Sequence, residues 1–194
     1  MNPVTTAAGA ASTQVDDITG RQSGAWRVAP RRVTLAVEGW NATNLQRRDV
    51  FRRALMSLRD QTYPVSGCEI LVIVDANVPE DFQWIGDVLP GAKILHLDGF
   101  TYYRCKNLAM RQASGDYLVL ADSDVEYESQ WLEHLLGAFA PDVDIVAGRT
   151  RYEPGLFSET MIICDGGMFR EKSGPTHGFF AHNVAMRART YHHI

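Results

Sequence analysis

From Arg32 onward, short apolar runs alternate with longer amphipathic stretches. "RVTLAVE" predicts a strand ending at Glu38. Thr43 to about Gln61 predicts a helix. Thr43 and Gln46 have capping-box spacing, and Phe51, Leu55 and Leu58 recur at i, i+4 and i+7. "EILVIVD" is a second strand, apolar on both faces, ending at Asp75. Pro79 to Leu89 predicts a short helix, and "AKILHL" a third strand. Tyr102 to Ser114 reads as helical, with Cys105, Leu108, Ala109 and Gln112 on one stripe and Gly115 as its C-terminal stop. "DYLVLAD" is a fourth strand. Ser129 to Phe139 is a helix with Trp131, Leu132, Leu135, Leu136 and Phe139 facing inward, and "VDIVAG" is a fifth strand.

Strands alternating with helices predict an α/β fold of right-handed βαβ units. Strands apolar on both faces suit a mostly parallel, Rossmann-like sheet with helices on both sides. Ligands of such sheets bind outside the carboxyl ends of the strands. Glu38, Asp75 and Asp122 all fall at that edge. Residues 1–30, rich in Ala, Thr, Ser and Gly, read as a flexible tail in which Trp26 alone could dock on the domain. Residues 31–194 form one domain. After Tyr152 the alternation weakens, and the chain reads as a loop-rich segment lying across the strand ends.

Composition narrows the function classes. With 19 basic and 23 acidic side chains the net charge is −4, so no global basic field points to nucleic acid. Three dispersed cysteines, Cys68, Cys105 and Cys164, form no CxxC pair, which fits a reducing cytoplasm. No run approaches the roughly 20 apolar residues that span a bilayer. The first ten residues lack the basic start and apolar core of a signal peptide. The expected location is cytoplasmic or peripheral to a membrane.

The fourth strand stops at Asp122-Ser123-Asp124, with Glu126 beyond. Two carboxylates that close repel and need water, donors or a cation. A solvated turn capping the next helix satisfies them, and so does a divalent metal. GxGxxG and GxxxxGK[ST] are both absent, so a bound nucleotide would lean on a metal. Hard oxygen ligands suit Mg2+ or Mn2+, with substrate phosphates completing the shell. If the strand continued through them, Asp122 and Asp124 would point to opposite sides and do different work, one on the metal and one on a sugar hydroxyl. Lys106 and Arg104, near the start of the preceding helix, could reach a diphosphate. The alternative for both is an ordinary solvated helix face.

The order "EGWN", "SLRDQTYP", "EILVIVDAN", "CKNLAMRQASGDYLVLADSD", "WLEHLL" and "HNVAMRA" resembles a family 2 glycosyltransferase with the GT-A fold, over about residues 33–189. Its most specific part runs from Lys106-Asn107 to Asp124. The resemblance implies nucleotide-sugar contacts at Val37, Glu38, Asp75, Asn77, Lys106, Asp122, Ser123 and Asp124. Within that set, Asp75 would contact the base, Lys106 the base or diphosphate, and Asp122 the ribose or sugar. Metal ligation is implied at Asp124, with Asp122 and His182 as further candidates. "FFAHNVAMRA" resembles the acceptor-side loop. The partners implied are a nucleoside-diphosphate sugar donor and a glycan, lipid or small-molecule acceptor. The family pattern Pro-Thr-Tyr-Asn is replaced here by Glu38-Gly39-Trp40-Asn41, and Asp-Asp-Gly-Ser by Asp75-Ala76-Asn77.

The implied reaction is metal-assisted transfer of the sugar to an acceptor hydroxyl with inversion. The family's base is expected just beyond "NVAMRA", past Ile194, which would leave the acceptor side incomplete; the internal stand-in is Asp165. The alternative is a truncated, catalytically silent domain that binds nucleotide-sugar or a partner. A sugar nucleotidyltransferase would need a Gly-rich, Arg-containing first loop that is absent. A hydrolase using Cys164 or Ser158 with His177 or His182 has no recognisable nucleophile turn.

Overall fold

A computed structural model describes residues 31–40, 47–78, 81–152, 155, 174–175 and 178–191. The expected N-terminal tail and Asp165 lie outside the described residues. The elements in chain order are β1 (Val33–Glu38), α1 (Arg48–Arg59), β2 (Glu69–Asp75), α2 (Trp84–Val88), β3 (Ala92–Leu97) and α3 (Tyr102–Gln112). Then follow β4 (Tyr117–Asp122), α4 (Trp131–Gly137), β5 (Ile145–Ala147), β6 (Asn183–Arg187) and a short α5 (Ala188–Tyr191). They build a six-stranded sheet of order β3-β2-β1-β4-β6-β5. Strands β1 to β4 pair in parallel, while β6 lies antiparallel between β4 and β5.

The two-residue period of each strand sorts its side chains onto two faces. Val33, Leu35 and Val37 pack with Phe51, Leu55, Ile85 and Trp131, a core beneath α1, α2 and α4. Ala36, Leu71, Ile73, Leu118 and Leu120 pack with Cys105 and Ala109 of α3 on the other face. The expected mostly parallel sheet with helices on both sides is therefore present. Trp131, Leu132, Leu135 and Leu136 of α4, and Phe139 just beyond its end, are all buried as expected.

Three expectations need correction. The loop-rich segment after Tyr152 contains β6, a buried strand in the middle of the sheet. The α2 helix is confined to Trp84–Val88, because Asp81 Oδ1 accepts the Gln83 N–H in a preceding turn. The expected capping pair, Thr43 and Gln46, lies outside the described residues, among which α1 spans Arg48–Arg59. Gly115 is no left-handed helix stop, since α3 ends at Gln112 and Gly115 has no positive φ. It is required instead by close approach: an added Cβ would stand 2.5 Å from the Thr34 backbone nitrogen of β1.

Glu69 fastens the opposite edge of the sheet. Its carboxylate accepts from Thr34 Oγ1, Lys93 Nζ and both N–H and Oγ of Ser114. Burial pushes its pKa up, but these donors together outweigh burial and hold it at about 2.

Candidate active site

The sheet order reverses between β1 and β4, the switch point at which α/β sheets open a crevice. Glu38 and Asp122 are register partners there, each the last residue of its strand. Both follow the even positions Ala36 and Leu120, so both project toward α3. Asp75 ends β2 at the same edge. The carboxylates expected together from the strand pattern are thus brought to one edge.

Asp122 is buried, and its oxygens are occupied. Lys106 Nζ donates to Oδ1 at 2.5 Å, and Tyr102 Oη donates to Oδ2 at 3.0 Å. His182 Nδ1 stands 3.9 Å from Oδ2. Lys106 also donates to the Ala181 carbonyl at 2.9 Å and lies 4.6 Å over the Tyr102 ring. The Asp122 N–H donates to Tyr127 Oη, which in turn donates to the His182 carbonyl. The strand that carries the acidic motif is therefore tied to the approach to β6 from both sides. A second chain of bonds supports that approach: Trp131 Nε1 donates to Asn183 Oδ1, Asn183 Nδ2 donates to Thr150 Oγ1, and His182 Nε2 lies 3.0 Å from Thr150 Oγ1.

Glu38 is 1% exposed. Its Oε2 accepts the Trp40 N–H at 2.7 Å, while buried Oε1 has no hydrogen-bond partner among the described residues. Burial first, then the charge of Asp122, lifts its pKa to about 8 against the opposing effect of Lys106 and the Trp40 N–H. Gly39 lets the chain leave β1 here, because a Cβ would meet the Ile73 carbonyl at 2.7 Å. The Trp40 ring then stacks on Phe100 with centroids 5.5 Å apart.

Ser123 is buried, and its Oγ has no hydrogen-bond partner among the described residues. Strand β4 ends at Asp122, so Ser123 and Asp124 lie in a turn and the expected alternation across a continuing strand does not apply. Asp124 is 28% exposed, with Arg47 Nη1 3.8 Å from its Oδ2. Val37 buries its side chain under α1 and can offer a ligand only backbone. Asp75 accepts the Asn77 N–H, and Asn77 bridges to Asp98. Arg104 bonds the Gly99 carbonyl from the exposed side of α3.

Among the described residues no group of three or more His, Cys, Asp or Glu side chains is placed to hold a metal by itself. A hard divalent cation needs less, since one or two carboxylates suffice when water and phosphate fill the shell. Asp122 bonds Lys106 and Tyr102 through its two oxygens, and Asp124 is a partly exposed carboxylate in the turn beyond it. The donor set therefore fits Mg2+ or Mn2+ through Asp124.

Tyr102, Tyr127, Thr150, Asn183 and Arg47 were not found by sequence reasoning. The sole signal was Tyr102, which stands four residues before Lys106 and so on the same helix face.

Comparison with known proteins agrees with this architecture. The profile of glycosyl transferase family 2 matches residues 43–192. A glucosyl-dolichyl phosphate glucuronosyltransferase of Haloferax volcanii is 26% identical over 164 residues, covering 74% of this chain and 50% of the relative. The mannosyltransferase PcManGT of Pyrobaculum calidifontis, solved in complex with GDP-Man and Mn2+, superposes with a TM-score of 0.62 at 19% identity. That superposition covers 88% of this chain and 50% of the other, and it shows a shared GT-A fold. The chain spans about half the length of these relatives. No helix among the described residues is long and apolar enough to cross a membrane. With most of its length inside the matched region, the chain belongs to glycosyl transferase family 2.

Proposed function

We propose that the domain binds a nucleoside-diphosphate sugar across the carboxyl ends of β1 and β4 and supports transfer of the sugar, with inversion, to an acceptor hydroxyl of a glycan, lipid or small molecule. The observation that carries the reading is the division of labour within the acidic motif. Asp122 is buried and neutralised by Lys106, while Asp124 stands partly exposed in the turn beyond it. A solvated turn capping a helix would not bury its first carboxylate against a lysine. The relative solved with GDP-Man and Mn2+ supports the choice of donor class and metal for the proposal.

Asp124 would hold the Mn2+ or Mg2+, which when bound supplies a Lewis acid for the charge that grows on the leaving phosphate. The chain's own residues do the positioning. Lys106 and Tyr102 fix the Asp122 carboxylate, and Tyr127 fixes its backbone. Glu38 holds the Trp40 turn at the mouth through the Trp40 N–H. Ser123 Oγ and Glu38 Oε1, both buried and unpartnered among the described residues, are polar atoms that a ribose or a water could satisfy.

Titration calorimetry with UDP, GDP and dTDP, each with Mn2+ and with chelator, tests the proposal. Binding of one nucleotide should strengthen with metal, and Asp124→Ala should abolish that difference. Heats that are absent, or equal with and without metal, would sink it.

A further inference from the structure

Behind the acidic motif, a chain of hydrogen bonds starts at a group with a single option. Trp131 is fully buried, and its indole N–H can donate but not accept. Its partner is Asn183, also fully buried, so the amide oxygen faces the indole and the amide nitrogen points the other way. Gly148 leaves the room for this, since a Cβ there would collide with Asn183 Oδ1. Asn183 Nδ2 then donates to Thr150 Oγ1 at 3.1 Å.

Thr150 is 5% exposed and has one hydroxyl proton to place. Its oxygen already accepts from Asn183. Among the described residues, the other polar atom within reach is His182 Nε2, at 3.0 Å. If Nε2 carried a proton, Thr150 Oγ1 would accept twice and its own proton would be buried without an acceptor, which is costly. Nε2 is therefore the acceptor, and the imidazole keeps its proton on Nδ1. The other side of the ring agrees. Nδ1 faces Asp122 Oδ2 at 3.9 Å, where an N–H dipole is attracted and a lone pair repelled. Phe180 stacks on the ring, with centroids 5.2 Å apart, and fixes its plane.

We infer that His182 is a positioning residue for Asp122: the relay from Trp131 through Asn183 and Thr150 holds it as the neutral Nδ1–H tautomer, with that N–H on the side of the Asp122 carboxylate. Asp122 is then met by an ammonium, a phenol and an imidazole N–H dipole, from α3 on one side and from the approach to β6 on the other. The same tautomer leaves neither ring nitrogen a lone pair to give a cation. His182 thus serves the acidic motif without ligating its metal. The proton assignment rests on the hydrogen bonds alone, and its part in donor binding rests on the donor-site reading above.

The test is long-range proton–nitrogen NMR at about pH 8 on the chain with isotope-labelled histidine. The sequence has six histidines, and His182→Gln identifies the signal that disappears. Nε2 of His182 should show the shift of a bare, pyridine-like nitrogen, and Nδ1 that of a protonated one. Thr150→Ser keeps the hydroxyl and should preserve this pattern, whereas Thr150→Val should move proton onto Nε2. A proton on Nε2 in the wild type, alone or together with one on Nδ1, overturns the assignment. So does an unchanged pattern in Thr150→Val; should that variant not fold, the wild-type spectrum still decides. Titration with GDP and UDP in Mn2+ tests the role. Thr150→Val should bind the preferred nucleotide about two- to ten-fold more weakly, the worth of one hydrogen bond, and Thr150→Ser as the wild type does. Equal binding by all three overturns the positioning role. If the wild type binds neither nucleotide, the donor-site reading falls and the role falls with it, while the spectrum decides the proton assignment by itself.

Discussion

Glu38 holds a proton that an exposed glutamate would have lost. Its carboxyl is shut away beside Asp122, and its pKa stands near 8 against an ordinary 4.5. Below about pH 4.5 both folded and unfolded chains carry the proton, so no slope results. Between about 4.5 and 8 the folded chain binds more protons, and stability falls as pH rises. Above that window the loss is complete. Glu38→Gln, which cannot ionise, should flatten this fall. Melting temperatures at pH 5 and pH 8, in chelator, should therefore lie closer together for the variant than for the wild type. An unchanged gap would show that another group sets the slope. The acidic members of the site were legible because strand-end carboxylates can be read from apolar runs that stop. Lys106 was legible as a residue but not as a buried one. The anticipated α3 stripe included Gln112, which is exposed, whereas Lys106 is buried on that helix through its bond to Asp122. Tyr102 and Tyr127 were not legible, because which acceptor a phenol meets is decided by packing between elements far apart in sequence.

At the scale of elements, the approach to β4 is held closely against β1 at the edge of the sheet opposite the site. Gly115 N–H donates to Thr34 Oγ1 at 2.9 Å, and the Arg32 carbonyl accepts from Asp116 and Tyr117. A methyl group at Gly115 has only rigid β1 backbone to push against. Gly115→Ala should destabilise the fold by about 1–3 kcal/mol, the usual cost of overpacking. Chemical denaturation should show a lower midpoint with an unchanged slope; an unaltered midpoint would mean that β4 shifts freely against β1. Parallel strands β1 to β4 were readable to within a residue because β1, β2 and β4 are nearly unbroken apolar runs between polar turns, and β3 is a short run broken only by Lys93 and His96. Helix ends were read less well: α2 spans Trp84–Val88 and α4 Trp131–Gly137, where Pro79–Leu89 and Ser129–Phe139 were expected. Strand β6 escaped notice altogether: "NVAMR" is five residues long, stands apart from the βαβ rhythm and shows no alternation, because both its faces are covered.

For the whole molecule, β6 joins what would otherwise be separate parts. It pairs with β4 along Tyr117 to Ala121 and with β5 along Ile145 to Ala147, and Asn183 takes the indole N–H of Trp131. A chain shortened to residues 1–178 should lose cooperative unfolding and bind hydrophobic dye, because β4 becomes an open edge and Trp131 keeps an unsatisfied donor. A sharp melt like that of the full chain would refute this. The position of β6 also gives the fold a timetable. At about 5–20 residues per second, a ribosome needs on the order of 2–7 s to pass from Gly148 to His182. Throughout that interval β4 and β5 exist with a gap between them that no local segment can fill. Any slot-filling strand from a neighbouring nascent chain competes for the same edge. Synthesis speed and chaperone cover across this stretch should therefore govern how much of the protein reaches its native state.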